Sequence, residues 1–144
     1  MKEISEIFED IKSKVNLSEN DFDILSWKNF ELNFSENFEN KEVIVNRIKS
    51  EIGNASGFYA IYNEDCLYIG IGRPIWKRIK SHYYSSNGKD KAVKWVEFFK
   101  EHRDNLKIYW KEFSVSENKK IDDKVRLLIE AILTEKYDPK FERK

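Results

Sequence analysis

Cysteine occurs once in this chain, proline twice and glycine five times in 144 residues. A lone Cys66 excludes an internal disulfide framework and any zinc site built on several thiolates, which suits a reducing compartment. Nothing around Cys66 marks it as activated, so it reads as a small buried hydrophobe. No apolar run approaches the roughly 18 residues of a membrane span. The opening MKEISEIFED carries acids where a signal peptide needs an apolar core. The expectation is a soluble, cytoplasmic protein with no membrane partner. Repeats and low-complexity tracts are also lacking, and two prolines give no strong linker.

Net charge is missing too, with 26 basic and 26 acidic side chains, but their distribution is uneven. Residues 1–50 carry 7 Lys and Arg against 11 Asp and Glu, while residues 71–120 carry 13 against 6. A basic face inside a neutral chain attracts phosphate backbones, although a solvated helix surface has the same composition. With 40% hydrophobic and 15% aromatic residues the chain can build a core of its own.

Ile4, Ile7, Phe8, Ile11 and Val15 recur at helical spacing, and Val43–Ile52 gives a second helix after a candidate Asn40 cap. Between them residues 17–40 have no clean period. A boundary near Gly53 divides the chain into an N-terminal helical extension, 1–52, packed on a second unit, 53–144.

From Gly57 the period becomes two, in GFYAIYNEDCLYIG. An even-length turn centred on Glu64 and Asp65 would pair Tyr62 with Leu67, Ile61 with Tyr68 and Tyr59 with Gly70. Tyr59, Ile61, Tyr68 and Gly70 then share one face, and Phe58, Ala60, Tyr62, Leu67 and Ile69 share the other, which would pack on helices. Two phenols would flank a spot with no side chain, and a strand glycine marks a bulge or a close approach.

Arg73-Pro74 reads as a helix entry with proline at the first position, and Ile75, Ile79 and Tyr83 as the buried stripe. Arg78 and His82 are four apart on one edge of that stripe and can face the same spot as the tyrosines. A core-edge histidine and a surface cation are the plainer readings of the two. Ala92, Trp95, Val96 and Phe99 suggest a further helix, and Leu106–Val115 a third strand with Leu106, Ile108 and Trp110 on one face. The last helix spans about Ile121–Tyr137, and Leu127, Leu128, Ile129, Ala131, Ile132 and Leu133 cover so much of its surface that burial on most sides is expected. Glu130 lies in that run, where a carboxylate is costly unless paired or bound to a cation. Glu135, beside Lys136 and Asp138, is expected to meet water.

Gly57-Phe58-Tyr59, Tyr68-Ile69-Gly70, Arg78 with His82, Glu130, and the close Tyr137-Asp138-Pro139-Lys140-Phe141 follow one another in the order and at the offsets of the GIY-YIG nuclease family, which the chain resembles over about residues 56–141. The resemblance implies an α+β domain with a small three-stranded antiparallel sheet flanked by helices, and metal-dependent hydrolysis of DNA phosphodiesters. It further implies that Tyr59 deprotonates the attacking water, that Tyr68 is its partner near the scissile phosphate, and that Arg78 contacts that phosphate with help from His82. Glu130 would be the single carboxylate on Mg²⁺ or Mn²⁺, and Gly70 the glycine that admits the phosphodiester. Arg73, Lys77 and Lys80 are candidates for substrate contacts.

Those residue types suit the chemistry. Phosphoryl transfer needs positive charge where negative charge develops, and one carboxylate with retained waters is a plausible Mg²⁺ site. Tyrosine, with an ordinary pKa of about 10, needs cations nearby to serve as a base. Two departures from the family's pattern are Phe58, at a place commonly aliphatic, and Glu142, where an asparagine is usual. The expected partner is double-stranded DNA, bound by a monomer or homodimer, and the alternative function is a non-cleaving module that holds nucleic acid or a protein.

Overall fold

Two strands are buried on both faces, and one edge strand alternates. In the computed structural model, which describes Glu3, Glu6 and residues 19–35, 38–87, 98, 101–113 and 119–141, four strands form one antiparallel sheet: β1 (Lys28–Leu32), β2 (Gly57–Tyr62), β3 (Cys66–Gly72) and β4 (Leu106–Glu112), in the order β1-β4-β2-β3. Among the described residues three α-helices cover it: α1 (Lys41–Ile52), α2 (Ile75–Ser86) and α3 (Lys119–Tyr137). The architecture is α+β as expected, but the sheet has four strands rather than three. The added strand, β1, comes from the stretch with no clean period. Only Phe30 and Leu32 of β1 are buried, and pairing with β4, Phe30 opposite Ile108 and Leu32 opposite Leu106, holds it. Residues 28–52 thus supply an edge strand and a helix of the same sheet. The expected helices over residues 4–15 and 92–99, apart from Glu6 and Phe98, lie outside the described residues.

One face of the sheet presents Phe30, Leu32, Tyr59, Ile61, Leu67, Tyr68, Leu106, Ile108 and Trp110 to Ile44, Ile48 and Ile52 of α1 and Ile75, Ile79 and Tyr83 of α2. The other presents Phe58, Ala60, Cys66, Ile69 and Tyr109 to Val125, Ile129 and Leu133 of α3 and to Ile24 and Trp27. Helices therefore cover both faces, not one. Phe58, bulkier than an aliphatic residue at its place, is 1% exposed with its ring 5.3 Å from that of Phe113.

The hairpin register matches expectation at Tyr59 opposite Gly70 and Ile61 opposite Tyr68, but Tyr62 pairs with Cys66, not Leu67. The loop is three residues, Asn63, Glu64 and Asp65, closed by the Asp65 N–H donating to Asn63 Oδ1 at 2.9 Å. A bulge at Leu67 then makes up the difference. Three loop residues and one bulged residue have the same parity as an even turn, so the tyrosines keep their face while Leu67 moves onto it. Asn40 stands at the N-cap of α1 without a side-chain cap hydrogen bond, and Pro74 is the N-cap of α2 rather than its first residue.

A second correction concerns α3. Its buried stripe is Val125, Ile129 and Leu133, and Leu127, Leu128 and Ile132 are exposed at 62%, 49% and 43%. A sheet takes one stripe of a helix, and the apolar excess around the rest faces outward. Past α3 the chain turns along the β3 edge, where the N–H groups of Lys140 and Phe141 donate to the carbonyls of Cys66 and Leu67 at 3.0 and 2.9 Å. Phe141 thereby crosses to the α2 side of the sheet. Among the described residues no helix is long and apolar enough to cross a membrane.

Candidate active site

Tyr59 sits mid-strand, between Gly70 of β3 and Trp110 of β4, with no exposed surface. A Cβ at position 70 would stand 2.5 Å from Tyr59 Oη, 2.6 Å from its Cζ and 2.8 Å from Tyr68 Cε2. The glycine is needed because the rings themselves fill the space over it. The expectation that it leaves an opening for substrate between two phenols is corrected: Tyr59 and Tyr68 are 5.9 Å apart, ring centre to ring centre, and close that opening. Gly72 works in a similar way, since a Cβ there would lie 2.4 Å from Ile75 Cα, so α2 can begin directly against the strand end.

That placement of α2 fixes the remaining groups. With Ile75, Ile79 and Tyr83 turned into the core, Arg78 and His82 fall on the edge facing the tyrosines. His82 is 3% exposed, and its Nε2 is 2.6 Å from Tyr59 Oη. Its ring lies 5.6 Å from that of Tyr59 and 5.1 Å, edge-on, from that of Tyr68. Arg78 is half-buried and lies close enough to both phenols to interact electrostatically with each. Phe141 closes the far side, 6.1 Å from Tyr68 and 4.7 Å from Phe98. Four of the five residues proposed as catalytic from sequence therefore stand in one cluster over Gly70.

The electrostatics follow from enclosure. Burial pushes the Tyr59 phenol well above its usual value, Tyr68 adds to this, and the Arg78 guanidinium opposes it without prevailing. Burial would lower the Arg78 pKa, but the two phenols it contacts raise it above its ordinary value. Tyr59 is thus a neutral phenol next to a fixed cation at any physiological pH.

Glu130 is half-buried on α3, the helix on the opposite face of the sheet from His82. The exposure of neighbouring Leu127 leaves it less enclosed by apolar groups than the sequence pattern suggests. Glu135 is exposed, as expected. Among the described residues no three of His, Cys, Asp or Glu gather as a metal cluster. A hard cation at Glu130 would then hold one carboxylate and several waters, a donor set that fits Mg²⁺.

The three basic candidates divide. Arg73 is held by the first turn of α3, at 2.8 Å from Asp122 Oδ2 and in contact with Asp123 Oδ1. Asp122 Oδ2 also takes the Nε–H of Arg126 at 2.7 Å. Arg73 therefore pins the α2 entry to α3 instead of standing free for phosphate. Lys77 and Lys80 stand beside the Trp76 ring, at 5.8 and 5.9 Å. Sequence reasoning missed Trp76 and the Asp122–Arg126 pair, though an acid four residues before an arginine on a helix was a legible signal. Glu142 lies outside the described residues.

The fold is similar to that of GIY-YIG endonuclease domains. The GIY-YIG N-terminal endonuclease domain of UvrC from Thermotoga maritima, bound to magnesium as its catalytic divalent cation, matches with a TM-score of 0.42 and 22% identity over 67% of this chain and 97% of that one. Two point mutants of the same domain, also bound to the divalent cation, match at 22% and 24% identity and a TM-score of 0.42, over 68% of this chain and 97% of theirs. No family profile and no curated protein matches the sequence.

Proposed function

We propose that the chain is a metal-dependent DNA endonuclease with a GIY-YIG-type site. One observation carries this reading: Tyr59, Tyr68, Arg78 and His82, drawn from two strands and a helix, converge over Gly70 with Tyr59 Oη 2.6 Å from His82 Nε2. In this reading Arg78 binds the scissile phosphate and offsets charge as it develops. Tyr59 is too weak an acid to exist as a phenolate, so it would relay: with His82 in the tautomer whose Nε2 accepts, it would pass its own proton to that nitrogen as it takes one from the attacking water. Tyr68 orients the phosphate beside Arg78. Glu130 would hold a divalent cation, a source of Lewis-acid charge, on the α3 side of the sheet. Lys77 and Lys80 would contact the DNA backbone.

A second reading, a non-cleaving module that holds nucleic acid or a protein, is favoured by a specific observation: Tyr59 has no exposed surface, so water meets its hydroxyl only when a neighbouring group moves aside. Supercoiled plasmid incubated with and without Mg²⁺ separates the two. Nicking that needs the metal supports the endonuclease, and DNA binding with no nicking under any divalent cation supports the module.

A further inference from the structure

The outer side of α1 and α2 carries a cluster of rings and cations away from Tyr59, Tyr68 and His82, of which the proposed function uses only Lys77 and Lys80, for backbone contacts. Trp76, Lys80 and Tyr84 are four apart on α2 and form one stripe on the edge away from Arg78 and His82. Four ammonium groups gather over its two rings. Lys49, Lys77 and Lys80 stand 4.4, 5.8 and 5.9 Å from the Trp76 ring, and Lys80 and Lys41 stand 5.4 and 5.5 Å from that of Tyr84. Among the described residues no carboxylate forms a salt bridge with Lys49, Lys77 or Lys80. Trp76 rests on the core and remains partly exposed.

Like charges this close repel, and the ring faces offset only part of that, so an anionic polymer is the natural complement. The rings add a choice between forms of polymer. In duplex DNA the bases stack on one another and offer no free face, whereas an unpaired base can stack on an indole. Base stacking on an aromatic side chain is about twice as strong as an exposed cation–π contact, so a base can take the place of Lys49 over Trp76. The displaced ammonium then meets a phosphate.

We propose that this face of α1 and α2 binds a single-stranded arm of the nucleic acid, with Trp76 as the base-stacking platform and Lys41, Lys49, Lys77 and Lys80 on the phosphates. The inference rests on the nucleic-acid reading of the site, and it gives the substrate class as a junction of duplex with an unpaired strand.

The test titrates the full chain in EDTA, so that no strand is cut, with oligothymidylate and with blunt duplex. It follows tryptophan fluorescence and affinity for wild type, Trp76→Leu and Trp76→Phe, with thermal unfolding to confirm that each variant folds. The expected result is quenching by the single strand that vanishes in Trp76→Leu, an affinity for the single strand about tenfold weaker in that variant, and retention in Trp76→Phe. Replacing Lys49 and Lys77 together with alanine should flatten the single-strand salt slope by about 0.7 for each lysine. Equal losses for single strand and duplex in Trp76→Leu, or no quenching in the wild type, overturn the inference while leaving plasmid nicking as an independent measure of the endonuclease. Failure to bind either form overturns both.

Discussion

Tyr59 and His82, twenty-three residues apart in sequence, meet inside the protein at 2.6 Å between Oη and Nε2. Tyr59 has no exposed surface and His82 only 3%, so the contact gives a buried polar atom on each a partner. Tyr59→Phe removes one half of the pair. The expected result is a loss of about 1–3 kcal/mol in unfolding free energy, because a buried hydrogen bond is removed from one side. Nicking should fall by about a hundredfold or more if the pair also carries the proton. A variant that unfolds earlier but nicks at the wild-type rate would assign the pair a structural role only. Denaturant unfolding and plasmid nicking on the same preparation decide it.

Gly70→Ala tests the close packing of the two phenols. The added methyl meets Tyr59 Oη, Tyr59 Cζ and Tyr68 Cε2, all inside 3 Å, in a buried site where neither ring has free space. Overpacking of this kind costs about 1–3 kcal/mol. If the clash with Tyr59 is the cause, most of that loss disappears when Gly70→Ala is made together with Tyr59→Leu. Additive losses in the double variant would mean that the glycine is required for some other reason.

Much of this arrangement was legible in the sequence, and the reasons for the rest are physical. The alternation in GFYAIY and CLYIG fixed the tyrosines on one face, and helical spacing put Arg78 with His82, since both periods are local. The bulge at Leu67 was not local: it makes a three-residue loop compatible with the same strand register. β1 was hidden because two buried side chains make no period, and its pairing with β4 joins segments far apart in the chain. The exposure of Leu127, Leu128 and Ile132 was missed because a wheel shows how apolar a helix is, not which side the sheet occupies. Arg73 looked like a phosphate ligand because its carboxylate partner, Asp122, lies forty-nine residues on.

Asp122 accepts from both Arg73 and Arg126, and Arg126 is 4% exposed. Asp122→Ala would leave the Arg126 guanidinium buried with only the carbonyl of Phe113 as a described acceptor. Breaking a buried pair from one side costs about 3–5 kcal/mol. Arg73→Ala should cost much less, since Arg73 is exposed and Arg126 keeps its carboxylate. It should also leave the salt dependence of DNA binding unchanged, because Arg73 is already paired. A flattened salt slope in Arg73→Ala would return that residue to the DNA contacts. Denaturant curves and salt titrations measure the two effects.

Cys66 gives the protein a signature at alkaline pH. Burial pushes its thiol from about 9 up to about 11, against the opposing hydrogen bonds of Tyr62 and the Tyr68 backbone. The folded state therefore holds this proton more tightly than the unfolded chain. The stability this confers is present below about pH 9 and is lost as pH rises through about 11. Cys66→Ala should show a shallower decline over that window. At pH 8 the native thiol should react with a thiol reagent far more slowly than the unfolded one, and fast reaction in the native state would show that the thiol is not enclosed.

Glu130→Gln tests whether nicking needs a cation held on α3. Glu130→Gln keeps the size and hydrogen-bonding capacity of the side chain, and the residue is half-buried on a helix whose packing stripe is Val125, Ile129 and Leu133, so the fold should change little. It removes the negative charge that would hold a hard divalent cation. Nicking in Mg²⁺ should fall by at least about a hundredfold. DNA binding in EDTA should stay within about twofold of wild type, since the lysines proposed to meet the backbone are untouched. Glu135→Gln is the control, because it makes the same charge change five residues along α3 at an exposed position. Its nicking should be unchanged. Equal losses in the two variants would point to the overall charge of the helix, and wild-type nicking in Glu130→Gln would place the cation elsewhere. Raising Mg²⁺ separates weakened binding of the metal from a missing catalytic group, because only the first recovers as the concentration rises.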